Sequence, residues 1–402
     1  WEPSPLSGVN AHPSIPYTKL RREKLSKQYP GIRLVFPAGS LKIRSNDSDY
    51  PFRAHSAFSW FTGIIAPDAV PDSVFVMEPN TKGHEDLLFI HPRSARDNDE
   101  FYKNARYGEF WVGRRMSLDE TEIKYELKVR QIESIEQFFA DKKECLIIRG
   151  EDKKIDSLVT ESEDKEKEFL NFTSLMRLVK DQYEIDEMQK AVDASVRGFA
   201  DMVRVFPAAT SVTRGERVIE SAFYGRARLE GNELGYSSIV AAGSHACVLH
   251  WIKNDGDVLP GDLVLIDAGV EVDSHYTADI TRTFPVNGKF TEAQHKIYMI
   301  VYKAQQAGIA AVKPGARFKD FHAACMVEIA KGAAELGVLP MSVEESLLPE
   351  SGLHRRWQFH GSGHHLGIDV HDCAHARKEQ YADAVLEPGM KIGPLSGSTN
   401  LG

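Results

Sequence analysis

The chain has 402 residues and a formal net charge of −9, with 42% hydrophobic and 27% charged residues. This length exceeds what a single hydrophobic core usually organises, so two domains are expected. The negative charge argues against nucleic acid or an anionic membrane as the main partner. No apolar run is long enough to span a bilayer, the N-terminal residues carry no signal-peptide segment, and the four cysteines show no paired spacing, which together predict a cytoplasmic protein.

The first part of the chain is predicted to alternate strands with helices. Apolar runs between turn signals predict strands near residues 32–36, 41–45, 73–77 and 87–91, and helices near 117–128 and 132–140. Such alternation is typical of a mixed α/β layer. Residues 44–63 are dense in aromatic and charged side chains, and their composition fits an ordinary loop as well as a functional motif.

The boundary between the two domains is predicted near Asn171. Just before it, the charged run 161–168 lacks apolar periodicity and predicts a solvated linker or helix face. Just after it, one apolar stripe predicts a long helix, with members three or four residues apart: Ile185, Met188, Val192, Val196, Phe199 and Val203. The two domains are therefore expected to cover residues 1–170 and 171–402.

The second domain carries an internal repeat, with one copy from Phe206 and the other from Lys313. Each copy is predicted to contain a helix, a proline turn, a second helix ending at glycine, and an extended segment bearing glycine and histidine. Thr291 and Gln294 have the spacing of a capping box, which opens the first helix of the second copy. Two such helix-helix-strand units are expected to place equivalent sheets face to face around a shared cleft.

Between the two copies, residues 262–284 predict a β-hairpin that carries two aspartates. A short apolar run from Leu263 is followed by turn residues and then by a run rich in β-branched residues. A turn centred on Asp273 would place Asp267 directly opposite Asp279. Two carboxylates that face each other at a buried position need a proton or a cation between them, and the cation is favoured. The competing interpretation is that the two side chains point to opposite faces or into solvent.

Histidines are concentrated between residues 360 and 372, where intervening glycines allow close approach of the backbone. The four histidines are His360, His364, His365 and His371, and in an extended chain only one of the neighbours at 364 and 365 can face a given side. His250 ends the corresponding strand of the first copy. Each histidine alone could be an ordinary hydrogen-bonded residue, but the cluster favours a metal site. Carboxylate and imidazole ligands without thiolate suit Mn²⁺, Co²⁺ or Zn²⁺, and paired aspartates are typical of two-metal hydrolytic sites.

These residues are similar to those of the pita-bread metallopeptidases, specifically the aminopeptidase P (X-prolyl aminopeptidase) and prolidase branch. The matching motifs, which extend over both domains, are RSNDSDYPFR followed by FTG, RLVKDQYEIDEM, DAG with DITRTFPVNGKF, and HGSGHHLGIDVHD. The resemblance implies an α+β fold, in which a creatinase-type α/β N-terminal domain is followed by a pita-bread domain built from the duplicated helix-helix-strand units.

The resemblance also implies a function. It implies removal of the N-terminal residue from peptides with proline at the second position, through attack of a metal-bridging hydroxide on the scissile carbonyl, in a homodimer or homotetramer. Two divalent ions would be needed, with manganese favoured and cobalt or zinc as alternatives. By position, the metal ligands are Asp267, Asp279 and His364, the catalytic histidines are His250, His371 and His360, and the substrate-side residues are Tyr236, His250 and His371.

The C-terminal sequence departs from the family pattern. Leu386 to Met390 match the family's LEPGM segment, but the strands that would supply two further glutamate ligands do not follow, and Glu387 is neither of them. The tail from Lys391 predicts a loop. Three ligands in place of five predict weak metal binding and no turnover for a polypeptide that ends at Gly402, and activity for a longer form that carries both glutamates.

Three alternative functions follow from the same residues. The chain could be a prolidase that cleaves dipeptides, or a catalytically impaired relative that binds peptides. The first alternative shares the site, and the second is favoured by the missing glutamates but opposed by the intact aspartates and histidines. Metal-free amidine hydrolysis of the creatinase type is disfavoured because it does not require the pair Asp267 and Asp279.

Overall fold

A five-stranded mixed sheet organises the first of two units in the computed structural model, which describes residues 6–94 and 96–394. The chain divides between Ser174 and Leu175. Because this division falls inside a helix that also contains Asn171, the limits 1–170 and 171–402 stay a prediction. Within the described ranges, no helix is both long and apolar enough to cross a membrane.

The strands of the first unit are β1 Arg33–Pro37, β2 Ile43–Ser45, β3 Ser48–Asp49, β4 Val74–Asn80, β5 Gly83–Ile90, β6 Lys128–Gln131 and β7 Cys145–Ile147. Its helices are α1 Ile15–Gln28, α2 Ser56–Thr62, α3 Asp99–Lys103, α4 Glu109–Val112, α5 Leu118–Tyr125, α6 Ile135–Phe139, α7 Lys153–Leu158 and α8 Glu163–Met176. In the sheet order β6-β5-β4-β1-β7, the outer pairs β5/β6 and β1/β7 are parallel and β4 is antiparallel to both its neighbours.

The predicted mixed α/β layer is present in the first unit, with one difference from the sequence-based prediction. The helix expected over residues 117–128 ends at Tyr125, because Glu126 adopts a left-handed conformation with φ +50° and Lys128 begins β6. The charged run 161–168 leads into α8 and forms a largely exposed helix face, which is one of its two predicted forms. Its Glu166 is buried and accepts two hydrogen bonds of 2.6 Å from Arg149.

The strands of the second unit are β8 Glu233–Leu234, β9 Ile239–Ala242, β10 Leu263–Ala268, β11 Val270–Glu271, β12 Ile280–Pro285, β13 Gly363–His365 and β14 Ile392–Pro394. Its helices are α9 Gln182–Arg204, α10 Phe206–Ala209, α11 Gly215–Glu230, α12 Glu292–Ala311, α13 Phe318–Glu335, α14 Val343–Ser346 and α15 Lys378–Tyr381. Helix α9 packs against α11 and helix α12 against α13. The strands form an antiparallel sheet in the order β12-β10-β9 and two-stranded pairs β11-β8 and β13-β14.

The predicted long helix is present as α9, but its buried face only partly overlaps the predicted stripe, at Met188 and Phe199. Val196 and Val203 are exposed, whereas the buried residues of the helix are Glu184, Met188, Ala191, Ala194, Ser195, Gly198, Phe199 and Met202. The stripe followed the large aliphatic side chains, but close approach of α11 requires small ones. A Cβ at Gly198 would lie 2.6 Å from the ring of Phe223. The capping box at the start of α12 is confirmed, because Thr291 and Gln294 exchange hydrogen bonds of 2.9 and 3.3 Å.

The predicted hairpin between the copies is present, but its register is wrong by two residues. Strand β10 pairs with β12 so that Asp267 lies opposite Thr281 rather than Asp279. The turn centres on Ser274, one residue later than predicted, since Val272 bonds to Tyr276 across it and His275 takes the left-handed conformation with φ +67°. Moving the centre of a hairpin by one residue moves every cross-strand pair by two.

The segment before His250 is not a strand, contrary to the prediction. Strand β9 ends at Ala242, and Gly243–Cys247 forms a 3₁₀ helix that begins at Gly243 with φ +53°. His250 therefore lies on an exposed loop after this helix.

Candidate active site

Two aspartates converge on one face of the sheet β12-β10-β9. Asp267 lies opposite Thr281, and Asp279 precedes Thr281 by two residues, so both aspartates belong to the same face as diagonal neighbours. The phenolic oxygen of Tyr236 connects them, at 2.5 Å from Asp267 Oδ1 and 3.0 Å from Asp279 Oδ1. The pairing predicted from sequence was wrong, but both carboxylates still reach the same place because a shift of two residues preserves the face.

The pKa of Asp267 is affected by its burial and by the nearby carboxylate of Asp279. Burial, followed by the negative charge of Asp279, raises the pKa of Asp267 from 3.8 to about 6. Burial and the two carboxylates also raise the pKa of the Tyr236 phenol well above 10, so this group stays protonated and donates a hydrogen bond. A pair of buried carboxylates that already takes up a proton near pH 6 is a site where a cation can take the place of that proton.

His364, on β13, completes a set of three side chains. Its Nε2 lies 2.8 Å from Asp279 Oδ2, and its Nδ1 lies 3.1 Å from the carbonyl oxygen of His365. Burial opposes a charge on this ring, but the hydrogen bond to Asp279 outweighs it and raises the pKa of His364. An imidazole whose Nδ1–H is held by a backbone carbonyl presents Nε2 in a fixed direction, which is the usual arrangement of a metal-binding histidine.

The other predicted histidines lie at different distances from this set. The His371 ring centre is 4.1 Å from that of His364, and partial desolvation of this otherwise exposed ring, then the charge of His364, lowers the pKa of His371. His250 lies on the exposed loop that follows the 3₁₀ helix. The ring of His360 contacts Gln358 and the carbonyl of Gly361.

The donor set fits a divalent cation in its chemistry. Asp267, Asp279 and His364 offer carboxylate oxygens and an imidazole nitrogen, which are ligands for Mn²⁺, Co²⁺ or Zn²⁺. Between residues 6 and 94 and between 96 and 394, no three His, Cys, Asp or Glu side chains already surround a common point as metal ligands do. The carboxylates and His364 hydrogen-bond to Tyr236 and to each other instead, so a cation would take the place of the shared protons.

Strand β14 passes directly beside these residues. It pairs with β13 so that Gly393 lies opposite His364, and a Cβ at Gly393 would lie 3.9 Å from Asp279 Oδ2. The loop predicted from Lys391 is therefore wrong for Ile392–Pro394, because the backbone of β13 offers unpaired hydrogen-bonding groups that this segment satisfies. The rest of the predicted tail, and the segment in which the two glutamates were expected, lies outside the described residues.

The same face of the sheet also borders a cavity. Its volume is about 830 Å³, and it lies between β10, β12 and α12. Leu265 and Thr281 line it from the sheet and Ile297 and Tyr298 from α12. Leu265 lies two residues before Asp267, so both side chains point to the same face of the sheet. The cavity therefore continues along the carboxylate-bearing face, away from the aspartates.

A buried ion cluster next to His371 was not predicted. Asp372 Oδ2 accepts a hydrogen bond of 2.6 Å from Lys180 Nζ, and Asp372 Oδ1 lies 3.3 Å from the Arg177 guanidinium. Although burial opposes it, the positive charges of Lys180 and Arg177 hold the pKa of Asp372 below its usual value. The signal that could have suggested this cluster is the RLVK motif, which contributed to the family resemblance without a structural explanation.

A second buried carboxylate, Glu216 on α11, was also missed. It is fully buried and accepts hydrogen bonds of 2.7–2.8 Å from the backbone of Ala242 and Gly256 and from the rings of His245 and Trp251. These donors bracket the loop that carries His250, so Glu216 fixes both ends of that loop. A single glutamate in the first turn of a helix has no sequence pattern that distinguishes it from an ordinary helix-start residue.

Comparison with known proteins agrees with this geometry. Residues 18–153 match the family described as aminopeptidase P, N-terminal domain, and residues 186–393 match metallopeptidase family M24. Xaa-Pro aminopeptidase 1 of Streptomyces coelicolor is 47% identical over 395 residues, which are 98% of this chain and 79% of that protein. Xaa-Pro aminopeptidase of Escherichia coli is 31% identical over 398 residues, covering 92% and 84%. The structure of zinc-substituted E. coli aminopeptidase P in complex with product has a TM-score of 0.81 at 28% identity, over 95% of this chain and 86% of that one.

The fold and the site thus define a two-domain metallopeptidase whose chemistry depends on divalent metal ions. More particularly, the chain belongs to metallopeptidase family M24, in the aminopeptidase P family. The predicted fold class is confirmed: an α+β chain with a creatinase-type N-terminal domain followed by a pita-bread domain.

Proposed function

We propose that the protein is a metal-dependent Xaa-Pro aminopeptidase, which releases the N-terminal residue from peptides with proline at the second position. The observation that carries this proposal is the 47% identity to a Streptomyces Xaa-Pro aminopeptidase over 98% of the chain. The juxtaposition of Asp267, Asp279 and His364 on one sheet face supports it, because these are the residues such an enzyme needs at its metal centre.

Asp267, Asp279 and His364 are assigned as metal ligands for two divalent ions, with manganese favoured and cobalt or zinc as alternatives. When bound, such ions lower the pKa of water and polarise the peptide carbonyl. The two carboxylates supply the negative charge that holds cations at this position. The single O–H of Tyr236 lies within hydrogen-bond distance of both carboxylates and is closer to Asp267.

The histidines are assigned to the substrate. The ring of His371 packs beside that of His364, which supports a role for His371 in donating a hydrogen bond to the carbonyl oxygen of the scissile peptide as negative charge develops on it. The same role is proposed for His250 from the family resemblance. Tyr236 is the proposed residue between metal and substrate. His360, which contacts Gln358 and Gly361, is retained as a histidine beside the site rather than one in direct contact with the reacting atoms.

The alternatives are less well supported. A prolidase or a peptide-binding relative without activity would not be expected to match Xaa-Pro aminopeptidases at this level over nearly the whole chain. A cytoplasmic location and a homodimeric or homotetrameric assembly belong to the proposal, since they follow from the composition and from the family resemblance.

The test is hydrolysis of three matched peptides by purified protein whose intact mass is recorded, with Mn²⁺, Co²⁺ or Zn²⁺ added separately. A tripeptide of the form Xaa-Pro-Yaa should be cleaved, whereas the dipeptide Xaa-Pro and the tripeptide Xaa-Ala-Yaa should be cleaved far more slowly. The matched control is Asp279→Ala. Equal cleavage of the alanine tripeptide would refute proline specificity, preferred cleavage of the dipeptide would favour a prolidase, and equal rates for wild type and Asp279→Ala would refute the metal site.

A further inference from the structure

Asp372, the residue after the proposed catalytic histidine His371, is held by an ion pair in the interior of the second unit. Lys180 Nζ donates to Asp372 Oδ2 over 2.6 Å, and the exposed fractions of the two side chains are 0% and 1%. Arg177 flanks the pair, 3.3 Å from Asp372 Oδ1 and 3.2 Å from Asp369 Oδ2. Charged groups are rarely buried to this extent unless they are paired.

Lys180 is itself fixed on both sides. Its backbone N–H bonds to the carbonyl of Gly389 over 3.0 Å, and its Nζ also donates to the carbonyl of Arg177. The next residue, Asp181, caps helix α9 through reciprocal hydrogen bonds with Glu184. The Lys180 ammonium therefore extends from the rigid start of helix α9, and contacts other than the one to Asp372 also hold it in position.

The turn between His365 and Asp372 is closed around this ammonium. The Asp372 N–H bonds to the carbonyl of His365 over 3.0 Å, and the N–H of Thr277 bonds to the carbonyl of Gly367 over 3.2 Å. At Gly367, a Cβ would lie 2.3 Å from Asp372 Oδ2 and 2.9 Å from Lys180 Cε. Only glycine leaves room for the ion pair there, and this explains one of the glycines in the histidine-rich segment.

His371 depends on this turn for its position. Its side chain is exposed, and its ring packs against the ring of His364. An exposed side chain on a short turn takes its direction from the backbone of the adjacent residue, and that residue is Asp372. We infer that Lys180, acting through Asp372, is a positioning residue that orients His371 towards the carboxylate face. This inference rests on the proposed function, because the role of His371 does.

A buried ion pair is a poor way to gain stability, since a well-packed apolar pair of the same volume is often as stable or more so. A buried ion pair does fix the relative orientation of its two side chains, because the lysine N–H donors must align with the lone pairs of the carboxylate. The ion pair at Lys180 thus supplies geometry rather than folding energy. Small displacements of a catalytic group are enough to matter, because misplacement by about 1 Å can lower a rate by about a hundredfold.

The test is a double-mutant cycle between Lys180→Met and His371→Ala. Lys180→Met alone should lower kcat by roughly ten- to a hundredfold while KM and bound metal change little. In the His371→Ala background the same substitution should lower kcat by less than about threefold, since coupled residues are not additive. Lys190→Met is the matched control, because Lys190 lies on helix α9, which starts just after Lys180, but is 64% exposed. It should leave kcat unchanged.

Hydrogen exchange supplies a measurement that does not depend on activity. In metal-free protein, Lys180→Met should accelerate exchange of the amides between residues 366 and 373, while exchange in β10 stays unchanged. If the unpaired carboxylate prevents folding, the variant Lys180→Met/Asp372→Asn removes the uncompensated charge and is measured instead.

Three results would overturn the inference: additive effects of Lys180→Met and His371→Ala, unchanged exchange in the 366–373 segment, or loss of metal in proportion to the loss of kcat. Failure of the proposed function would look different. In that case the wild-type protein would cleave no Xaa-Pro peptide, and the exchange measurement would still decide whether Lys180 holds the turn.

Discussion

Replacing Asp267 by asparagine should stabilise the metal-free protein at neutral pH and destroy its metal site. In the metal-free structure, Asp267 is buried beside Asp279 and its pKa is raised from 3.8 to about 6. An ionised Asp267 therefore costs free energy in the folded state that it does not cost in the unfolded chain. Asparagine has nearly the same shape, and its side-chain oxygen can still accept the hydrogen bond from Tyr236.

The size of the effect follows from the pKa difference. One pKa unit corresponds to 1.36 kcal/mol, so a difference of about two units gives an upper limit of about 3 kcal/mol above pH 6. The sign is fixed because the folded state binds the proton more tightly. The wild-type protein therefore loses this stability as pH rises from about 4 to about 6. Asparagine does not titrate, so the stability of Asp267→Asn should not depend on pH through this position. The variant should therefore be more stable than wild type above pH 6 and equally stable near pH 4.

The assay is denaturant-dependent hydrogen exchange of β10 in protein freed of metal by a chelator, at pH 4 and pH 7.5. Asp273→Asn is the matched control, because Asp273 is exposed in the same hairpin and its substitution should change stability by less than about 0.5 kcal/mol. Adding Mn²⁺ should reverse the order, since only wild type gains stability from the ion. A metal-free Asp267→Asn protein no more stable than wild type at pH 7.5, or equally advantaged at both pH values, would refute the reasoning.

Three further outcomes are expected. His371→Ala should lower kcat by roughly a hundredfold, as expected for loss of one group that stabilises the oxyanion, with bound metal unchanged in elemental analysis; a parallel loss of metal would make His371 a ligand. Arg33→Met should destabilise the first unit by about 3 kcal/mol in chemical denaturation, because buried Arg33 bonds to both Glu78 and Asp141. Lys143→Met is the control: Lys143 contacts the same carboxylates but is half exposed, so its loss should cost less than about 1 kcal/mol. The hydrogen bond from Arg33 lowers the pKa of Asp141 to about 2, so the stability that this pair contributes is present above pH 4 and is lost as pH falls from about 4 to 2. In Arg33→Met the free energy of unfolding should no longer fall over this pH range, and a fall equal to that of wild type would contradict the role of Arg33.

Several strands of both units could be predicted from the sequence because their apolar runs are short and bounded by turn residues. The run from Leu263 became β10 and the run from residue 73 became β4. Local signals of this kind need no knowledge of the rest of the chain. The capping box at Thr291 belongs to the same class, since both partners lie within one turn of helix.

Prediction failed where a neighbouring element decides the outcome. The buried face of α9 is set by how closely α11 approaches at Gly198, and a stripe of large aliphatic residues cannot report that distance. The hairpin register depends on the left-handed conformation at His275, a residue with no strong preference for it. The predicted site survived the register error because the period of a strand is two, so Asp267 and Asp279 stay on one face when the register shifts by two.

The ion pair between Lys180 and Asp372 shows why the remainder was out of reach. Its partners are 192 residues apart in sequence, and a lysine before a helix start is usually a solvated residue. Both lie in motifs that were recognised, yet each motif by itself suggests a different role, one for helix initiation and one for the histidines. Their pairing exists only once α9 and the turn after β13 are packed together. Lys180, which neither binds metal nor touches substrate in the proposed mechanism, can still determine how His371 is oriented. Its substitution should therefore show non-additive kinetic effects with His371→Ala and no loss of bound metal.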